Sequence, residues 1–194
     1  MARAVRAKTA SVESAAVQRL LPLGGLQAAS GKVSLTPAEP ATRLSLRARP
    51  DAVSALSKAL GVTLPRKPKT TATEGVRAAL WLGPDEWLVI DMAGGDLIAD
   101  LARVKVLHSA VDVSHRNTAI VVSGPAAAEV INTGCPQDLS LDAFPVHAAS
   151  RTVLGKIEIV LWRTSADSFR VECWRSFSDY AFAFLVEAVK DASH

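Results

Sequence analysis

Residues Val111 to Pro125 read VDVSHRNTAIVVSGP. An Asp, a Ser, a His and an Arg fall within five positions there, and a run of β-formers follows at once. The second half, NTAIVVSG, reads as a strand. Pro125 suits the opening of a helix over AAAEVINTG, and Gly134 suits its end. The same order of strand, proline, helix and glycine occurs in LSLRARPDAVSALSKALG, residues 44–61. Pro50 and Pro125 lie 75 residues apart. The stretch therefore stands where one copy of a repeated unit hands over to a second.

Working outward, each copy continues alike. ALWLGPDEWLVI and VLWRTSADSFRVECW both read as hairpins entered through Leu-Trp, at Leu80-Trp81 and Leu161-Trp162, 81 residues apart. Gly83-Pro84-Asp85 makes the first turn. In the first copy Leu44, Leu46 and Ala48 alternate with Ser45 and Arg47, as in a half-buried strand. Val53, Leu56 and Leu60 recur at helical spacing, and Leu97, Ile98 and Leu101 mark a second helix before the strand HSAVDVSH. SFSDYAFAFLVEAVKDA is the last helix, capped by Ser176 or Ser178, with Phe182, Leu185, Val186 and Val189 inward. The expected fold is α+β, two tandem ferredoxin-like (split β-α-β) units. The expected division is an N-terminal arm over 1–40, a first unit over 41–115 and a second over 116–194.

The chain has 194 residues, 49% hydrophobic and 21% charged. A chain of that size buries roughly 70% of its unfolded surface, so no staple is required. Two cysteines, Cys135 and Cys173, make no disulfide framework and no CxxC pair. With no signal-type apolar core near the N-terminus, they read as buried thiols of a cytoplasmic protein. No apolar run reaches the roughly 20 residues that span a bilayer, so no membrane partner is expected. Residues 1–70 carry 12 Lys or Arg against 3 Asp or Glu, and the remainder 10 against 16. The basic residues are scattered without interleaved aromatics, which fits a partner subunit better than nucleic acid.

No catalytic, cofactor-binding or metal-binding residue is expected. In a strand Asp112 and Ser114 share one face, and Val111, Val113 and His115 the other. An adjacent Ser and His then cannot pair as nucleophile and base, and no GxSxG elbow is present. Asp112 and Ser114 can instead cap turns or bind backbone N–H groups, and Arg116 can pair with Asp112 or reach a partner. His108, His115 and His147 lack metal-ligand spacing, and no GxGxxG appears. Ser123-Gly124-Pro125 is a poor phosphate loop, because proline removes a donor. Trp81 and Trp162 look like core residues, while Trp87 and Trp174 could serve an interface.

The run VDVSHRNTAIVVSGPAAAEVINTGCPQDLSLDAFP, with RTVLGKIEIVLWRT, FRVECWRSFSDYAFAFL and LWLGPDEWLVI, resembles the gamma subunit family of heterotetrameric sarcosine oxidase. Asp-x-Ser followed by strand, Gly-Pro and helix is also similar, more distantly, to the folate-binding aminomethyltransferases of glycine cleavage, whose fold the resemblance implies. It further implies a non-catalytic accessory chain packed on alpha, beta and delta subunits. That complex oxidatively demethylates sarcosine to glycine, passes the one-carbon unit to tetrahydrofolate and releases hydrogen peroxide. FAD, FMN, NAD and tetrahydrofolate are then expected in the partner subunits, and none on this chain. Arg116, Trp174, Arg175, Leu20, Leu21, Leu23 and Leu26 are the expected subunit interface, arginine and tryptophan being favoured at such surfaces. Two alternatives stand beside this. One is a stand-alone folate-binding aminomethyltransferase-like protein. The other is the equivalent small subunit of another N-methyl amine oxidase or dehydrogenase.

Overall fold

A computed structural model describes residues 21–192. Among these described residues eleven strands, four helices and one 3-10 turn follow in order, and every strand pair is antiparallel.

The first copy begins with β3 (Thr42–Ala48), α1 (Val53–Leu60), β4 (Thr71–Glu74) and β5 (Arg77–Gly83). It ends with β6 (Glu86–Asp91), α2 (Leu97–Leu101) and β7 (His108–Asp112). Its sheet has the order β4-β5-β6-β3-β7. Period-two alternation sends Leu44, Leu46 and Ala48 of β3, with Trp87 and Val89 of β6, against Val53, Leu56, Leu60, Leu97 and Leu101 of the two helices. Gly61 closes α1 in the left-handed region, at φ 64°, where glycine carries no Cβ penalty. Ile98, expected inward, is exposed, because only Leu97 and Leu101 of this short helix turn to the sheet.

The second copy begins with β8 (Asn117–Ser123), α3 (Ala127–Asn132) and β9 (Ala149–Leu154). It ends with β10 (Ile157–Ser165), β11 (Ser168–Trp174) and α4 (Ser178–Asp191). With β1 (Ala28–Ser30) and β2 (Val33–Pro37) added, its sheet has the order β1-β2-β8-β11-β10-β9. β1 and β2 come from the segment the sequence suggested as an arm, and Ser34 to Pro37 pair with Ser123 to Ile120. Val33 and Leu35 are buried with Ile120, Val122 and the inner faces of α3 and α4. That burial is what orders the segment, at about 1.5–3 kcal/mol for each such side chain. Ahead of α4, Arg175–Phe177 forms the 3-10 turn, and the helix starts with Phe177 in the cap position. Ser178 donates its hydroxyl to the Arg175 carbonyl rather than capping the helix.

The two sheets face each other. Ala78, Leu80, Leu88 and Ile90 of one sheet meet Ala149, Val160 and Trp162 of the other, joined by Val113. The result is four layers, helices outside and sheets inside. Trp87 is 1% exposed and donates its indole N–H to the Pro65 carbonyl at 2.7 Å. It is therefore a core residue and not the interface candidate the sequence suggested. Trp81, directly opposite it across the hairpin, is only half-buried.

Candidate functional site

The opening stretch forms the crossover between the sheets. β7 ends at Asp112, and residues 114–116 form a turn, so Ser114 and His115 are not in a strand. Asp112 Oδ1 accepts the Ser114 backbone N–H at 2.7 Å. Ser114 Oγ accepts the backbone N–H of Arg43 at 2.8 Å, and Val113 N–H donates to the Arg43 carbonyl at 2.8 Å. These polar side chains fasten the crossover to β3, as side-chain-to-backbone bonds of Asp and Ser do in turns. Ser114 Oγ is engaged with the Arg43 N–H, and among the described residues no hydrogen bond joins Ser114 to His115.

Further polar candidates are also engaged in the fold. Gly124 N–H donates to Asp167 O at 2.8 Å and Ala126 N–H to Lys32 O at 3.2 Å, so these two backbone donors at the Ser-Gly-Pro turn are already engaged within the fold. Cys135 and Cys173 are buried free thiols. Burial, with the Glu172 carboxylate nearby, pushes the Cys173 thiol up to about 12. His108 pairs with the Val106 carbonyl, and Thr71 donates to the His147 carbonyl. Among the described residues no group of three His, Cys, Asp or Glu side chains could hold a metal ion.

Sequence reasoning missed the charged layer between the sheets. Arg43 of β3 donates from Nε to Glu172 Oε2 at 2.6 Å and from Nη2 to Oε1 at 3.2 Å. Arg170, also on β11, donates to Glu172 Oε1 at 2.7 Å. All three side chains are at least nine-tenths buried. A second link joins Glu86 of β6 to Arg151 of β9 and to Arg47. Burial works against the Glu86 charge, but the hydrogen bonds and charges of Arg151 and Arg47 hold the carboxyl below its usual range. The available signal was the spacing itself. Arg43, Ser45 and Arg47 on β3, and Arg170 and Glu172 on β11, each occupy one face of a strand whose other face is apolar.

The sequence-predicted interface residues divide into three groups. Leu20 lies outside the described residues. Leu23 is 5% exposed and belongs to the core cluster that holds Val33, Leu35 and Ile120, so it is not open to a partner. Leu21 and Leu26, 49% and 45% exposed, line a cleft of about 470 Å³. Thr36–Arg43, running from the end of β2 to the start of β3, also line it, with His115, Asn117 and Arg175. Beside it Arg116 lies over the Trp174 ring at 4.9 Å, and Trp174 stacks on Phe177 with centroids 5.9 Å apart. The Arg175 N–H donates to the Arg116 carbonyl at 2.7 Å and locks the turn before β8 to the end of β11. Two of the expected interface residues, Arg116 and Trp174, thus touch directly, while Arg175, Leu21 and Leu26 share the neighbouring cleft.

Residues 45–192 match the model of the sarcosine oxidase gamma subunit family. The chain is 35% identical over 168 residues to the sarcosine oxidase subunit gamma of Corynebacterium sp. (strain P-1), covering 84% of this chain and 82% of that one. It is 36% identical over 170 residues to the Arthrobacter sp. subunit gamma, with the same two coverages. A chain of the heterotetrameric sarcosine oxidase from Corynebacterium sp. U-96, solved with pyrrole 2-carboxylate, superposes with TM-score 0.76 at 33% identity. That match covers 84% of this chain and 86% of the other. The aminomethyltransferase T of the Bartonella henselae glycine cleavage system gives TM-score 0.62 at 15% identity, over 83% of this chain and 50% of that one. The second likeness shows a shared fold alone. From the family match and the identity spread along most of its length, the chain belongs to the sarcosine oxidase gamma subunit family.

Proposed function

We propose that this chain is the non-catalytic gamma subunit of a heterotetrameric sarcosine oxidase, in contact with alpha, beta and delta partners. The complex would demethylate sarcosine oxidatively to glycine, transfer the one-carbon unit to tetrahydrofolate and release hydrogen peroxide. FAD, FMN, NAD and the folate site would belong to the partner subunits. The observation that carries the non-catalytic part is the use made of the most reactive-looking stretch. Asp112 and Ser114 both hold backbone N–H groups of the crossover. Such a chain contributes surface rather than chemistry, and the proposed surface is Arg116, Trp174 and Arg175 with Leu21 and Leu26.

We further propose that 41–115 and 116–194 are two ferredoxin-like units, with 1–40 as the leading segment. In support, β7-β3-β6-β5 and β2-β8-β11-β10 run in matching order, the N-terminal strand β2 taking in the second sheet the place β7 holds in the first. A cytoplasmic location fits two free cysteines and, among the described residues, no helix long and apolar enough to cross a membrane.

Titration of the purified chain with tetrahydrofolate, followed by fluorescence quenching of its four tryptophans, tests the accessory reading. No saturable quenching is expected. Tight saturable binding would favour the second reading, a folate-binding protein acting alone, which at present has the shared fold of the aminomethyltransferase behind it.

A further inference from the structure

We propose that the Arg116–Trp174–Phe177 stack and the adjoining cleft dock an acidic segment of a partner subunit. The proposal rests on the subunit reading above and adds the chemistry of what is bound.

Charge complementarity carries the choice of occupant. Arg43, Arg47, Arg77, Arg151 and Arg170 are each matched to a carboxylate of this chain. Arg116 is exposed and differs from them. Its Nε donates to the neutral Asn117 Oδ1 at 3.2 Å, and among the described residues its two terminal nitrogens have no acceptor. The guanidinium is nonetheless held in place, one face against Trp174 at 4.9 Å and its own carbonyl fixed by Arg175. A planar fork with both ends open and its rotamer already restricted is the geometry that takes a carboxylate bidentately, at reduced entropic cost.

The neighbouring cleft adds the second half of the recognition. Leu21, Pro22, Leu26, Pro40 and Ala41 give it an apolar wall, while Glu39 is the one carboxylate among its described lining residues. Trp174 and Phe177, 39% and 40% exposed, add apolar surface against Arg116 beside the cleft. An extended segment with an Asp or Glu opposite Arg116 and an apolar side chain two or more residues away would satisfy both parts. Exposed aromatic and arginine side chains that are ordered before binding are the residues on which interface energy concentrates.

The test uses the assembled complex, made by co-expressing the full chain with the larger oxidase subunits. Arg116→Ala and Trp174→Ala should each weaken retention of this chain by roughly 30-fold. Raising salt should loosen the unaltered complex and have less effect on the Arg116→Ala complex. In an Arg116→Lys complex, a carbodiimide should join position 116 to an Asp or Glu of another subunit, identified by mass spectrometry. The circular dichroism and melting temperature of each variant chain alone should match the unaltered chain. Wild-type retention in both alanine variants, or carbodiimide links from position 116 to this chain alone, would overturn the docking proposal while leaving the subunit reading intact. Failure of the unaltered chain to co-purify would overturn both.

Discussion

Removing the Glu172 carboxylate would leave the Arg43 and Arg170 guanidinium groups facing one another between two sheets. Deleting one member of a buried ion cluster costs about 3–5 kcal/mol, because the remaining charge has no water to solvate it. Glu172→Ala should lose that much stability in a urea titration, whereas replacing all three residues with apolar side chains of similar volume should cost far less. A loss under 0.5 kcal/mol for Glu172→Ala, on the order of an ordinary surface change, would mean that water reaches the cluster. Cys173 offers a second check. Its thiol, buried and pushed up to about 12, should resist iodoacetamide at pH 8 in the native protein and react after denaturation. Residue identity was only half legible in the sequence. The Asp-Ser pair at 112 and 114 was read as backbone-binding, and both side chains accept backbone N–H groups. The pairing of Arg43 with Glu172 was not foreseen, because its members stand 129 residues apart and strand alternation does not tell a solvated face from one covered by a second sheet.

At the scale of elements, the N-terminal hairpin depends on Gly124. Its φ is 129°, and a Cβ there would stand 2.3 Å from the Lys32 carbonyl oxygen and 2.9 Å from Val33 Cα. Gly124→Ala therefore combines backbone strain, about 1–3 kcal/mol, with a collision against β2. It should free β1 and β2 from the sheet first, read as faster amide exchange over residues 28–37 than over β10 and β11. Uniform exchange in the variant and the parent would show that the hairpin tolerates the change. The hairpins over 77–91 and 157–174 were legible, because two apolar runs around a short polar turn leave few other pairings. The strands at 28–37 were not. They hold Ser, Gly and Pro and gain their order from Val33 and Leu35 packing on a strand more than 80 residues later. Burial of that kind comes from tertiary contact rather than from local pattern.

For the whole molecule, the two sheets are held by an apolar layer and by charge pairs across it. Glu86 is paired with Arg151, and Asp91 with Arg77 inside the first sheet. Burial alone would raise the Asp91 carboxyl, but Arg77 and the backbone N–H groups of Ala93 and Gly95 hold it below its usual range, as Arg151 and Arg47 do for Glu86. Carboxyls depressed in the folded state add stability above their unfolded values, near 4, and that contribution disappears as pH falls through the folded values. Urea midpoints should therefore decline between about pH 5 and 3, and Arg151→Met should flatten part of that decline. A midpoint independent of pH across this window would contradict the role given to these pairs. The same four-layer body has no metal-holding cluster among its described residues, and it belongs to a family named for its place in an oxidase. The most direct test of the accessory-subunit account is to recover the tagged chain from its native host and record the absorption spectrum and sarcosine-dependent peroxide release of what is recovered. The account predicts a yellow assembly with larger flavin-bearing chains that oxidises sarcosine. A colourless chain recovered alone, with no sarcosine-dependent peroxide, would contradict it.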